Sequence, residues 1–98
     1  MLFRSVAVEA FLEEWPLRLE EMERAISAGN AAELGRAAHT IKGAMRTFAI
    51  GAAAESARKL EELGTTGCLD DAEEMLATLR REVEPLLPEM AALTGNST

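Results

Sequence analysis

The sequence predicts an all-α protein, an antiparallel up-down-up-down four-helix bundle with short loops. Apolar residues recur at spacings of three and four in four successive segments, the period of a helix with one buried face. No segment shows the alternating pattern of a strand, and the short connections favour antiparallel packing of consecutive helices. We expect the 98 residues to form one domain, with a core over about 5–93 and a disordered tail at 94–98.

The first helix is predicted from a long apolar stripe near the N-terminus. Pro16 lies inside this helix, where a proline removes a backbone hydrogen bond, so we expect a bend near 12–16. Gly29 is expected to end the helix, because glycine is common just beyond a helix C-terminus. The stripe consists of Val8, Leu12, Trp15, Leu19, Met22 and Ile26.

The second helix is predicted to begin after Asn30 and to extend to about 50–51. Asn30 and Glu33 have the spacing of a capping box, in which each side chain bonds to the backbone of the other residue. The predicted buried face consists of Leu34, Ala38, Ile41, Met45 and Phe48.

Two further helices are predicted in the second half of the chain. The third covers about 52–63 and is expected to end at Gly64, before a loop over 65–69. Asp70 with Glu73 is expected to cap the fourth helix, and two prolines are expected to bend or fray its last third. Those prolines are Pro85 and Pro88, and the apolar stripe of the fourth helix consists of Ala72, Leu76, Leu79, Val83, Leu86, Met90 and Leu93.

Composition and charge argue against several classes of function. A net charge of −7 and a pI near 4.7 disfavour nucleic-acid binding, which relies on basic surfaces. No apolar run is long enough to span a bilayer and no signal peptide is evident, so we expect no membrane association. The single cysteine, Cys68, excludes an internal disulfide, and one histidine with one cysteine cannot form the usual zinc sites. We expect a cytoplasmic monomer without a metal or cofactor of its own.

The only histidine, His39, is predicted on the solvent side of the second helix. At about 100° per residue it lies roughly 140° from the centre of the apolar stripe. Gly35 and Gly43 lie one turn before and one turn after it, although a glycine inside a helix costs about 1 kcal/mol relative to alanine. We expect both glycines to leave open space through which another protein can reach the imidazole.

Basic side chains are predicted around the same histidine. Lys42 lies on the neighbouring ridge of the helix, where it can reach a group bonded to the ring. Arg36 and Arg46 add positive charge, and the hydroxyl of Thr47 is a candidate hydrogen-bond donor to His39 or to a partner. This set is suited to holding a small anion, of which phosphate is the obvious case.

A family resemblance is carried by the segment 39–43, His-Thr-Ile-Lys-Gly, which follows a double alanine. It resembles the signature of histidine-containing phosphotransfer (HPt) domains of bacterial phosphorelays, commonly A-H-x-L-K-G. The neighbouring helices also resemble those of the family, over about residues 8–93. Ala44 and Ala49 depart from the pattern, which usually has a small hydroxyl residue and a glycine there. These departures bear on partner preference and on the helix end rather than on the chemistry.

The resemblance implies that a response-regulator receiver domain passes a phosphoryl group from its aspartate to His39, or takes it back. The neutral imidazole is the nucleophile, and free histidine titrates near pH 6.5. Mg²⁺ is expected in the receiver, and a hybrid sensor histidine kinase is a second candidate partner. Together with the residue pattern, the resemblance implies phosphoryl stabilisation by Lys42 and partner access or docking at Gly43, Gly35, Arg46, Arg36 and Thr47.

Two other functions stay open on the sequence alone. One is a helical protein–protein interaction module whose histidine is not phosphorylated, because four-helix bundles serve many functions. The other is an enzyme that uses His39 as a general acid or base, for which the ring needs a hydrogen-bond partner. We expect none on an exposed helix face between two glycines, so the chain is expected to be a phosphoryl carrier and not an enzyme.

Overall fold

The computed structural model describes the backbone of residues 2–94 and the side chains of residues 6–94. All regular elements of this part of the chain are helical, which confirms the predicted class. They are α1 (Leu2–Ala28), α2 (Ala31–Thr47), α3 (Gly51–Thr66), α4 (Ala72–Val83), a 3-10 turn (Glu84–Leu86) and α5 (Leu87–Leu93). Since α4 and α5 are the two parts of the fourth predicted helix, the molecule is a four-helix bundle.

The core lies where the inner faces of these helices meet. α2 packs against α1 and α3, α3 also packs against α4, and α1 packs against α4 and α5. Each buried aliphatic side chain contributes roughly 1.5–3 kcal/mol, so this shared core is what holds the short helices together. The largest fully buried side chains are Met22, Leu34, Ile41, Met45, Leu60, Leu79, Val8 and Val83.

α1 buries a face that is rotated slightly from the predicted stripe. Phe11 and Ala25 are buried, whereas Leu12, Leu19 and Ile26 are only partly buried. The aromatic rings explain part of the difference, because Phe11 packs against the ring of Trp15 at 6.1 Å and that of Phe48 at 5.8 Å between centroids. Pro16 lies within α1, which continues on both sides of it.

The start of α2 agrees in part with the prediction, since Asn30 caps the helix but its own N–H donates to the carbonyl of Ala25 and not to Glu33, as a capping box requires. The end of the helix differs from the prediction. The side chain of Asn30 accepts a hydrogen bond from the backbone N–H of Glu33 at 3.1 Å, so Asn30 is the N-cap. The helix ends at Thr47 because Ala49 adopts the left-handed conformation, with φ of 60°. The N–H groups of Ala49 and Ile50 then bond back to the carbonyls of Arg46 and Met45, as in a Schellman motif.

Gly64 does not end α3, contrary to the prediction. The helix continues to Thr66, and Gly67 ends it with φ of 78°. Gly64 is instead buried against α2, where a Cβ atom would lie 2.6 Å from the backbone nitrogen of Gly35 and 2.7 Å from the carbonyl oxygen of Ala31. Only glycine permits this close approach of α2 and α3.

The fourth predicted helix differs from expectation at its start and its C-terminal end. Asp71 occupies the N-cap position of α4, whereas Asp70 was the predicted cap. The two prolines divide the helix into α4, the 3-10 turn and α5, which confirms the predicted disruption. Leu93 is exposed, so it does not belong to the buried stripe. Of the predicted disordered tail, residues 95–98 lie outside the described part of the chain, and Thr94 caps α5.

We expect Gly64→Ala to lower the free energy of unfolding by about 1–3 kcal/mol, because the new methyl group pushes α3 away from α2. The matched control is Gly43→Ala, where a Cβ atom meets nothing within 4 Å and the higher helix propensity of alanine adds up to about 1 kcal/mol. Urea denaturation of both variants measures the two effects. If Gly64→Ala were as stabilising as Gly43→Ala, the close contact between the helices would be wrong.

Candidate functional site

His39 lies on the outer face of α2, as predicted. Leu34, Ala38 and Ile41 of the same helix are fully buried, and this orientation places the imidazole on the opposite side. Its side chain is 66% exposed, so a partner molecule can reach the ring.

A carboxylate from α3 contacts both His39 and Lys42. One oxygen of Glu61, Oε2, lies 2.8 Å from Nδ1 of His39, and the other, Oε1, lies 2.6 Å from Nζ of Lys42. The side chains of Lys42 and Glu61 are only 15% and 26% exposed, respectively. The three groups therefore form a chain of contacts that runs from a largely covered lysine side chain to an exposed imidazole.

Glu61 stays ionised in this arrangement. The hydrogen bond from Lys42 lowers the pKa of its carboxyl group, the hydrogen bond with His39 acts in the same direction, and partial burial opposes both. An ionised carboxylate only accepts hydrogen bonds. Nδ1 of His39 must then be the donor, so in the neutral ring Nε2 carries the free lone pair.

The contact between α2 and α3 at Gly35 and Gly64 explains why Glu61 reaches the histidine. His39 lies one turn after Gly35 on α2, and Glu61 lies one turn before Gly64 on α3. Because the backbones approach closely at the two glycines, the side chains one turn away can also meet. The close crossing therefore positions the functional groups.

The predicted open space at Gly35 is absent. A Cβ atom at this position would contact the backbone of Glu61 and of Gly64, both at 3.7 Å. Gly35 faces α3, so it serves helix packing and not access to the ring. Gly43 does have open space, since nothing lies within 4 Å of a Cβ atom there.

The remaining predicted site residues lie on α2 without contacting the ring. Arg36 is exposed and pairs with Glu33 at 2.7 Å. Thr47 donates its hydroxyl hydrogen to the carbonyl oxygen of Gly43 at 3.0 Å, so of its two candidate partners it does not bond to His39. Arg46 is exposed in the last turn of α2.

Glu61 was not a predicted site residue. In the sequence, the pair 61–62 has the pattern of a solvent-facing acidic run, and the expectation that His39 has no hydrogen-bond partner on its face is wrong. The one available signal was Gly64, if it was recognised as a contact point with Gly35 and not as a helix end. Antiparallel pairing of those glycines would have placed Glu61 opposite His39.

Among the described residues, no group of three or more histidine, cysteine, aspartate or glutamate side chains is arranged to hold a metal ion. α1 has 27 residues, but neither it nor any other described helix is apolar enough over a sufficient length to cross a bilayer.

Comparison with known protein families identifies the class. The family model of the Hpt domain matches residues 6–91, nearly the whole chain. The chain therefore belongs to the Hpt domain family, the phosphohistidine carriers of two-component phosphorelays. No curated protein sequence and no solved structure matches the chain significantly.

The lowered pKa of Glu61 makes part of the stability depend on pH. A carboxyl group whose folded-state pKa lies below its usual value of 4.5 stabilises the fold above that pH, and the contribution is lost as the pH falls through the folded-state value. We expect the difference in unfolding free energy between the wild type and Glu61→Gln to be constant near neutrality and to shrink below about pH 4.5. Urea denaturation at a series of pH values measures it.

Glu62→Gln, which removes the same charge from the neighbouring exposed position, is the control. If the difference in unfolding free energy between the wild type and Glu61→Gln did not change with pH, the ionisation of Glu61 would contribute nothing to stability.

Proposed function

We propose that His39 accepts a phosphoryl group from the aspartate of a response-regulator receiver domain and passes it back or on to another receiver. Membership of the Hpt family supports histidine phosphotransfer in general. The observation that carries the assignment to this residue is the exposed imidazole whose Nδ1 contacts Glu61, because that contact leaves Nε2 directed away from the carboxylate with its lone pair free.

The proposed transfer needs no external proton donor or acceptor. The lone pair of Nε2 attacks the phosphorus atom, the nitrogen–phosphorus bond forms, and the bond from phosphorus to the aspartate oxygen breaks to restore the carboxylate. The ring keeps its hydrogen on Nδ1 and gains positive charge. Glu61, which accepts the hydrogen bond from Nδ1, stabilises that charge.

Phosphoryl transfer needs alignment and charge neutralisation more than covalent help. Lys42 belongs to the proposed site, because its ammonium group lies within the same set of contacts as the acceptor ring. Mg²⁺ is proposed to be supplied by the receiver, so that this chain acts as a carrier without a cofactor of its own.

We propose that the receiver docks around the exposed face of α2. Gly43 leaves room next to His39, and Arg36 and Arg46 provide exposed positive charge for an acidic or phosphorylated partner. Between α1 and α2 lies a shallow apolar groove of about 270 Å³, whose lining includes Thr40 and Ala44 next to the histidine turn. Apolar surface beside the reacting group favours a protein partner.

We also propose that the helices are antiparallel, as the sequence predicts. Two contacts between α2 and α3 support this orientation, namely Gly35 with Gly64 and Lys42 with Glu61. From the first contact to the second, the residue number rises on α2 and falls on α3. We also propose a cytoplasmic monomer that acts alone or with a hybrid sensor histidine kinase.

His39→Gln is expected to abolish phosphotransfer while the fold stays intact, because the exposed ring contributes little to the core. The measurement is incubation with a phosphorylated receiver domain, followed by mass spectrometry at neutral to alkaline pH. The wild type is expected to gain one phosphoryl group that is labile in acid and stable in alkali.

The matched control is Lys59→Gln, a substitution of an exposed residue on α3, which is expected to leave transfer unchanged. If the folded wild type gained no phosphoryl group from several receivers, the function as a phosphoryl carrier would be wrong. A helical interaction module with an unphosphorylated histidine would then be the better account.

A further inference from the structure

We propose that Arg46 is a specificity-determining residue, whose guanidinium group pairs with a carboxylate on the surface of the receiver domain. Arg46 is exposed in the last turn of α2. The role rests on the proposed function of His39, and it concerns the choice of partner and not the chemistry at the ring.

Arg46 and His39 extend from the same side of α2. They are seven residues apart, and seven residues at about 100° each fall only about 20° short of two full turns. A rise of about 1.5 Å per residue places Arg46 roughly 10 Å from His39 along the helix axis. Between them lies Gly43, where nothing lies within 4 Å of a Cβ atom. A protein surface that covers His39 therefore also reaches Arg46.

Arg46 differs from the other arginine and the lysine of α2 in its pairing. Arg36 pairs with Glu33 at 2.7 Å. Lys42 pairs with Glu61 at 2.6 Å. Arg46 forms no ion pair with a carboxylate in the described part of the chain. Its guanidinium group can therefore bind a partner's carboxylate through two parallel hydrogen bonds without breaking a contact inside the protein.

The carboxylate of Glu55 on α3 is influenced by Arg46 but is bound by another arginine. Both oxygens of Glu55 accept hydrogen bonds from Arg58, at 3.1 and 2.7 Å. Those hydrogen bonds are the main reason that the pKa of Glu55 is lowered, and the charge of Arg46 makes a smaller contribution. Glu55 therefore leaves the guanidinium group of Arg46 open to a partner.

The overall charge of the protein makes a local positive charge useful for docking. A net charge of −7 disfavours the approach of a negatively charged phosphoryl donor, and Arg46 offsets this repulsion two turns from His39. Charges at the edge of an interface act mainly on the rate of association and on the choice among partners. We therefore expect a preference for receivers with a carboxylate roughly 10 Å from the phosphorylated aspartate, over receivers with a basic residue there.

The first test measures transfer from a phosphorylated receiver that phosphorylates the wild type. Arg46→Gln is expected to lower the second-order rate constant by about 2- to 5-fold at low ionic strength, the factor for one exposed ion pair. The loss is expected to shrink in high salt, which screens exposed charges. The limiting rate at saturating receiver is expected to stay unchanged, because Arg46 does not contact the reacting atoms. Lys59→Gln, which removes the same charge from an exposed position on α3, is the control and is expected to have no effect.

The second test exchanges the two charges of the pair. Arg46→Glu is expected to slow association by roughly the square of the factor for Arg46→Gln, because a repulsion of similar size replaces the attraction. Carboxylates of the receiver near its phosphorylated aspartate are then changed to lysine one at a time. One of these changes is expected to restore the rate of Arg46→Glu and to slow transfer to the wild type. Such restoration also excludes misfolding of the variant, which no change in the partner could repair.

Two results would overturn the role of Arg46. If Arg46→Gln and Lys59→Gln lowered the rate constant by the same factor, only net charge would matter. If none of the receiver substitutions restored Arg46→Glu, no carboxylate would be its partner. In both cases, transfer to the wild type would show that His39 still functions as the phosphoacceptor. A wild type that accepted no phosphoryl group from any receiver would overturn the proposed function itself, and the role of Arg46 with it.

Discussion

The close approach of α2 and α3 is the constraint on which the functional site depends. Gly64 is buried against Gly35 so tightly that a Cβ atom would overlap the α2 backbone. One turn away from this contact, the same proximity brings Glu61 to His39 and Lys42. A glycine pair with no chemical group of its own thus lets the carboxylate of Glu61 reach Nδ1 of His39.

The balance of charge at the site fits the proposed function, in which a phosphoryl group is accepted and then released. Lys42 is paired with Glu61, and Arg36 is paired with Glu33, so the basic residues near the ring are partly compensated. An interaction that bound the phosphorylated state strongly would lower its energy and slow its onward transfer. In the proposed transfer, the contact with Glu61 fixes the orientation of the ring and the partner supplies most of the charge neutralisation.

Features that depend on contacts within one helix could be predicted from the sequence, whereas features that depend on contacts between helices could not. Periodicity within α2 was enough to predict the exposure of His39, because a single helix determines which of its faces is buried. Glu61 could not be placed, since its contact depends on the separation and offset of two helices. Ala49 carried no recognisable sign of a helix end, because alanine rarely adopts a positive φ, and Gly64 was mistaken for one.

The identity of the phosphorylated ring nitrogen tests the central claim most directly. Because Nδ1 of His39 donates to Glu61, the account predicts that the phosphoryl group is attached to Nε2. Two-dimensional NMR of the ¹⁵N-labelled, phosphorylated protein identifies the nitrogen coupled to phosphorus in its single histidine. Coupling to Nε2 would agree with the account. Coupling to Nδ1 would contradict it, because Glu61 would then have to leave the ring before transfer.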